Sequence, residues 1–121
     1  MKIVYAGAPE FSVAPLKSLT DAGFCVVAVV TQPDKPVGRK AVLTPTPLKS
    51  YALSQGIPVY DFAKIREHVP ELGSLGADVM VTCAYGQLLT QEVLSAFPKG
   101  VYNINASLLP RWRGGSPIQD A

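Results

Sequence analysis

Phe24-Cys25-Val26-Val27-Ala28-Val29-Val30 is an unbroken apolar run. A strand with one wet face alternates polar and apolar residues. A continuous run suits a strand covered on both faces, as in a parallel sheet flanked by helices. Lys2-Ile3-Val4-Tyr5-Ala6-Gly7 reads as a second such strand upstream. Between them, from Glu10 to Ala22, Phe11, Pro15, Leu16 and Leu19 recur near helical spacing. Pro9 pre-sets φ for the helix start and Gly23 ends the pattern. Downstream, Ile57–Tyr60, Asp78–Thr82 and Val101–Asn105 are three further candidate strands. Helical segments lie between, over Thr46–Ser54, about Ile65–Leu75 and Thr90–Phe97. This alternation predicts an α/β chain, a Rossmann-like doubly wound, mostly parallel sheet of five strands.

The composition excludes several classes. Hydrophobic residues make up 48% and charged residues 17% of the 121, the balance of a folded chain with a real core. The net charge of +2 is too small to argue for nucleic acid by itself. Cys25 and Cys83 both lie in apolar runs, which predicts buried free thiols. No Cys/His spacing suggests zinc, so no metal is expected. The opening segment reads as a strand rather than a signal peptide, and no run approaches transmembrane length. A cytoplasmic protein without a membrane partner is the expectation. Gly7-Ala8-Pro9-Glu10-Phe11 is not a GxGxxG fingerprint, and Pro9 removes a backbone N–H that a phosphate cradle needs. No P-loop is present either.

Two features interrupt the pattern. Thr31 to Pro45 forms a long connection with three prolines and one glycine, far longer than ordinary α/β connections and therefore read as a functional loop. Near the end, Ser116-Pro117-Ile118-Gln119 has the form of a helix start, with a serine cap, proline at the first helical position and Gln three residues after the cap. Only Asp120 and Ala121 follow, so the sheet is expected to be incomplete at the C-terminus. An incomplete sheet exposes an apolar edge or face and invites self-association.

In Val101-Tyr102-Asn103-Ile104-Asn105, alternation puts Asn103 and Asn105 on one face with Val101, and Tyr102 and Ile104 on the other. Two amides near the C-terminal end of a strand stand where open α/β sheets bind ligands. They could equally cap the loop that follows. Asn103 to Gly114, with Ser107-Leu108-Leu109-Pro110 inside it, resembles the signature of the folate-dependent formyltransferases. Within that family the chain is most similar to the methionyl-tRNA formyltransferases. That likeness rests on Gly7-x-Pro9-Glu10-Phe11 and on Val30-Thr31-Gln32-Pro33-Asp34-Lys35-Pro36-Val37-Gly38-Arg39 with Leu43-Thr44-Pro45. It continues through Gly56-Ile57-Pro58-Val59, Ala84-Tyr85-Gly86-Gln87 and Arg111-Trp112-Arg113-Gly114.

The resemblance implies that residues 1–121 are the N-terminal portion of a formyltransferase catalytic domain, with later strands and a C-terminal tRNA-binding domain lying outside this chain. It implies formyl transfer from 10-formyltetrahydrofolate, without a metal, to the amine of initiator methionyl-tRNA, by a full-length protein that is monomeric. Asn103 then donates to the tetrahedral oxyanion. Ser107, Leu108, Leu109 and Pro110 border the folate, and the backbone about Gly86 and Leu88 meets its pterin ring. One position departs from the family. Asn105 stands where the family has its catalytic histidine, and an amide cannot exchange a proton near neutral pH. The family's catalytic aspartate lies further along than residue 121. The chain alone is therefore expected to be inactive. Its one histidine, His68, belongs to a surface helix and is no substitute.

The long loop acquires a role from the same resemblance. Lys35, Arg39, Lys40 and Lys49 are set against Asp34 alone. Charge by itself is as well explained by a solvated loop. With the family pattern added, Arg39 and Lys40 are expected to meet tRNA phosphate. Arg111 and Arg113 could do the same or cover the sheet edge. Two other readings remain open: a non-catalytic folate- or tRNA-binding module, and a formyltransferase of the same family acting on a small amine, against which the long basic loop argues.

Overall fold

The structure is a computed structural model that describes residues 1–104 and 118–119. Five strands form a parallel array: β1 (Lys2–Gly7), β2 (Cys25–Val30), β5 (Val59–Tyr60), β6 (Val79–Cys83) and β7 (Val101–Asn103). Their spatial order is β5-β2-β1-β6-β7, continued by β8 (Ile118–Gln119). The expected fold class is the one observed.

The apolar runs explain the two-sided burial. Val4 and Ala6 point into one core layer with Val30, Met80 and Val101, beneath α3 (Val69–Ser74) and α4 (Gln91–Ser95). Tyr5 points the opposite way, with Val29 and Cys83, against Leu16 of α1 (Val13–Asp21) and Leu48 and Ala52 of α2 (Pro47–Ser54). Successive residues of one strand thus feed different layers, which is why β1 and β2 carry apolar residues at consecutive positions. The start of α1 packs close to the sheet because Gly7 lacks a Cβ. A carbon built there would lie 2.8 Å from the Cys83 carbonyl and 2.9 Å from Ser12 Cβ. A 3₁₀ turn over Glu10–Ser12 precedes α1, and the Tyr5 hydroxyl donates to the Ser12 carbonyl at 2.6 Å. Thr46 caps α2, accepting from the Lys49 N–H at 3.1 Å, with Pro47 at the first helical position.

Four sequence expectations are corrected. The long connection is not structureless: β3 (Lys35–Val37) and β4 (Val42–Thr44) pair antiparallel as a separate two-stranded sheet. Its prolines masked it, because Pro36 is tolerated where a strand has only one neighbour. The predicted helix start is also overruled. Ile118 and Gln119 pair antiparallel with Asn103 and Tyr102, so a sixth, antiparallel strand is added. A free edge at β7 offers unpaired N–H and C=O groups, and pairing them outweighs a local capping signal. The third concerns Cys25, which is exposed at the end of β2, whereas Cys83 is buried. The fourth is the segment Ile65–Leu75, which splits into a 3₁₀ turn over Ile65–Glu67 and the short helix α3, with His68 between them.

Candidate functional site

Strand order reverses beside β1, which has β2 on one side and β6 on the other. Crevices of doubly wound sheets lie beyond the C-terminal ends of strands near such a reversal. A cavity of about 380 Å³ opens there, lined by Thr82, Ala84, Tyr85, Gly86, Gln87, Leu88, Leu89, Leu94 and Asn103. Its size falls within the range of small-ligand sites. It brings together three of the residues expected from the sequence, Asn103, Gly86 and Leu88. Asn105 and the stretch from Ser107 to Pro110 lie outside the described residues, as do Arg111 and Arg113.

Asn103 is the last residue of β7, and Thr82 is its neighbour across the β6–β7 ladder. The Thr82 hydroxyl donates to Asn103 Oδ1 at 2.9 Å. That bond fixes which end of the amide is the oxygen and turns the N–H₂ the other way, a donor at the cavity wall with no partner among the described residues. Val101 is buried in the layer under α4, while Ile104 packs in the opposite layer, as strand alternation requires.

The loop after β6 forms most of the wall. Ala84 adopts φ 54° and Gly86 φ 88°, left-handed backbone at two positions that turns the chain along the cavity wall. Tyr85 is buried between them, and burial pushes its hydroxyl pKa upward. Among the described residues that hydroxyl has no hydrogen-bond partner. Leu88, 83% exposed, stands at the rim. Two glutamines missed at the sequence level hold this loop. Gln32 Nε2 donates to the Tyr85 carbonyl at 2.6 Å, and Gln87 Nε2 donates to Gln32 Oε1 at 2.9 Å. Both stand inside motifs that carry the family resemblance, but the bonds between their connections, 53 and 55 residues apart in sequence, have no sequence signal.

The basic loop resolves into an exposed hairpin with Arg39 and Lys40 in its turn and Lys35 on its first strand. Lys49 does not belong with them. Its ammonium pairs with Asp34 at 2.9 Å and Asp61 at 3.0 Å, bonds that raise its pKa. The cationic surface is therefore three side chains, displayed beside exposed Val37, Val42 and Leu43. His68 stacks on Phe62 with ring centroids 4.0 Å apart and pairs with Glu71, away from the cavity lining. Among the described residues no group of three or more His, Cys, Asp or Glu is placed to hold a metal. No described helix is long and apolar enough to cross a membrane.

Comparison with known proteins agrees with this geometry. A family model described as formyl transferase matches residues 1–121. The methionyl-tRNA formyltransferase of Symbiobacterium thermophilum is 50% identical over 123 residues, covering 100% of this chain and 38% of that protein. That of Listeria innocua is 52% identical over 122 residues, covering 99% of this chain and 39% of that protein. The chain thus spans about two fifths of the length of the curated relatives it matches. Among solved structures, glycinamide ribonucleotide transformylase 1 from Geobacillus kaustophilus superposes with a TM-score of 0.66 at 17% identity, covering 93% of this chain and 62% of that one. Phosphoribosylglycinamide formyltransferase from Bacillus halodurans gives 0.63 at 17% identity, covering 85% and 55%. At that identity the two structures speak to the fold, while the family match runs the whole length of the sequence: the chain belongs to the formyl transferase family.

Proposed function

We propose that this chain is the N-terminal part of a cytoplasmic methionyl-tRNA formyltransferase. Its reaction moves the formyl group of 10-formyltetrahydrofolate to the amine of methionine on initiator tRNA. The observation that carries the reading is the cavity at the ends of β6 and β7, with the Asn103 amide in its wall, in a chain half identical to enzymes of that name.

The chemistry follows from the reacting groups. The amine nitrogen attacks the formyl carbon, and the carbonyl oxygen becomes an oxyanion in a tetrahedral intermediate. The bond from that carbon to the folate nitrogen then breaks, and a proton passes from the amine to that nitrogen. With its oxygen held by Thr82, Asn103 is oriented to offer its N–H₂ to the oxyanion. A pre-aimed donor of this kind contributes about 3 kcal/mol to lowering the barrier. Leu88, Leu89 and Leu94 supply apolar wall for a flat heteroaromatic ring, and the backbone about Gly86 supplies polar partners for its edge. Ser107 to Pro110 complete the folate side in this reading. The exposed Lys35, Arg39 and Lys40 attract phosphate of the tRNA. Proton transfer is the step this chain supplies least well, because Asn105 has no titratable group.

The test is a formylation assay with 10-formyltetrahydrofolate and methionyl-initiator tRNA. The complete product of the gene should form formyl-methionyl-tRNA, and residues 1–121 alone should give none above the no-enzyme blank. Product from the isolated chain would overturn the assignment of proton transfer to groups outside it. No product from the complete protein, together with tight tetrahydrofolate binding, would favour a non-catalytic folate-binding module.

A further inference from the structure

Gln32 and Gln87 come from different connections, after β2 and after β6, yet their side-chain amides are bonded to each other. The bonds of the pair run in one sense only. Gln87 Nε2 gives one hydrogen to Gln32 Oε1 at 2.9 Å and the other to the Phe62 carbonyl at 2.9 Å. Gln87 Oε1 accepts from the Ile65 N–H at 2.7 Å. Gln32 Nε2 gives a hydrogen to the Tyr85 carbonyl at 2.6 Å. Turning the Gln87 amide over would set its N–H₂ against the Ile65 N–H and its oxygen against the Phe62 carbonyl. Networks satisfied in one sense only are rigid and specific.

Three connections are tied by these four bonds: the one after β2, the one after β5 and the one after β6. Gly86 makes room for the tie. A Cβ there would stand 3.1 Å from Gln32 Nε2. Gln32 is also three residues before Lys35, where the basic hairpin begins. The two ends of that excursion are drawn together by a Thr31–Thr46 hydroxyl bond of 2.7 Å and by the Lys49–Asp34 pair. The hairpin therefore rises from a closed base. That base is bonded to the loop forming the cavity wall.

We propose that Gln32 and Gln87 are a clasp of positioning residues that keeps the hairpin root in register with the cavity wall, so that an acceptor held by the hairpin is aligned with a donor held in the cavity. The alignment of two substrates rests on the methionyl-tRNA reading; the mechanical link does not. Neither glutamine needs to touch a reacting atom. Misplacement by about 1 Å at a bimolecular site can cost on the order of a hundredfold in rate, so a clasp of this kind has a kinetic consequence.

The experiment uses the complete gene product and two kinds of variant at each position. Gln87→Leu removes all three of its bonds, whereas Gln87→Glu keeps the acceptor for Ile65 and loses both donors. Gln32→Leu removes both of its bonds, whereas Gln32→Glu keeps the acceptor for Gln87 and loses the donor to Tyr85. Hydrogen exchange is first measured without substrates. Either leucine variant should speed exchange by roughly tenfold in both the 84–89 loop and the 34–44 hairpin, and Gln87→Glu should behave like Gln87→Leu in the hairpin. In the formylation assay, each variant should lower kcat/KM for methionyl-tRNA by about tenfold, and the double leucine variant should be no worse than the worse single one. Exchange that rises only in the loop carrying the substitution would overturn the clasp, as would additive kinetic losses or a wild-type response of Gln87→Glu. A variant that fails to fold is replaced by its glutamate counterpart. If the unaltered protein does not formylate methionyl-tRNA, the functional reading fails, and the exchange measurement alone then decides the clasp.

Discussion

Ala84 holds φ at 54° in the turn between β6 and the cavity, a region that costs an L side chain about 1 kcal/mol. Gly86, two residues on, holds φ at 88° with Gln32 Nε2 where a Cβ would press. The two positions make opposite predictions. Ala84→Gly should leave stability unchanged or raise it by about 0.5 kcal/mol, since relief of strain offsets the added freedom of the unfolded chain. Gly86→Ala should lower it by about 1–3 kcal/mol, through strained backbone and displacement of Gln32. Urea titration of the two variants side by side checks both. A destabilised Ala84→Gly would mean that the left-handed turn is not strained. At this scale the sequence was informative about Asn103, because an amide at a strand end is chemically conspicuous. It placed Gln32 and Gln87 in family motifs but was silent about their bond to each other, which joins residues 55 apart in sequence.

The hairpin of β3 and β4 changes what the basic segment can do. A flexible loop would lose conformational entropy on meeting a phosphate, whereas a paired hairpin has already lost much of it. Arg39→Ala in the complete protein should raise KM for methionyl-tRNA and leave tetrahydrofolate binding little changed. It should also make log(kcat/KM) less steep in log salt by about 0.7–0.9 for each phosphate that is no longer neutralised. Unchanged tRNA kinetics and an unchanged salt slope would remove Arg39 from the interface. A second prediction concerns how β1 and β6 are joined at their start. Asp78 Oδ2 accepts from the Lys2 N–H at 2.8 Å, a bond that lowers the Asp78 pKa from its ordinary 3.8. A depressed carboxyl contributes stability that is present above the unfolded value and fades as pH falls towards the folded one. Stability of the native chain should therefore drop more steeply than that of Asp78→Asn as pH falls through and below the ordinary value of 3.8. Parallel pH profiles in denaturant titrations would show that the bond carries no linkage.

Across the whole molecule, the two core layers are fed by alternate residues of the same central strands, so neither layer can be altered without disturbing the other. The sheet ends at one side in the two-residue β5, too short to template much pairing, and at the other in β8 beside β7. Apolar surface remains in view at Val37, Val42 and Leu43 on the hairpin, at Leu53 on α2 and at Leu88 beside the cavity. Residues 1–121 expressed alone should therefore self-associate at micromolar concentration, with a melting temperature that depends on protein concentration. Sedimentation velocity checks this, and a monodisperse species with a concentration-independent cooperative melt would contradict it.

The order of strands and helices, and the two-sided burial of the sheet, were determined by sequence alone. Runs such as Val26 to Val30 have no polar residue to turn towards water, and local periodicity is enough to show it. The resemblance of the motifs likewise needed only residue types and spacing. Only the tertiary structure decided that the basic segment is a hairpin, that Lys49 is bound to Asp34 and Asp61 rather than available to a phosphate, and that Ile118 and Gln119 pair with β7 instead of opening a helix. The tertiary structure also showed two glutamines joining the cavity wall to the hairpin root. The hairpin was hidden locally, by prolines that argue against a strand. The other three depend on which groups meet across separate elements, and such pairing leaves no period, spacing or composition to read.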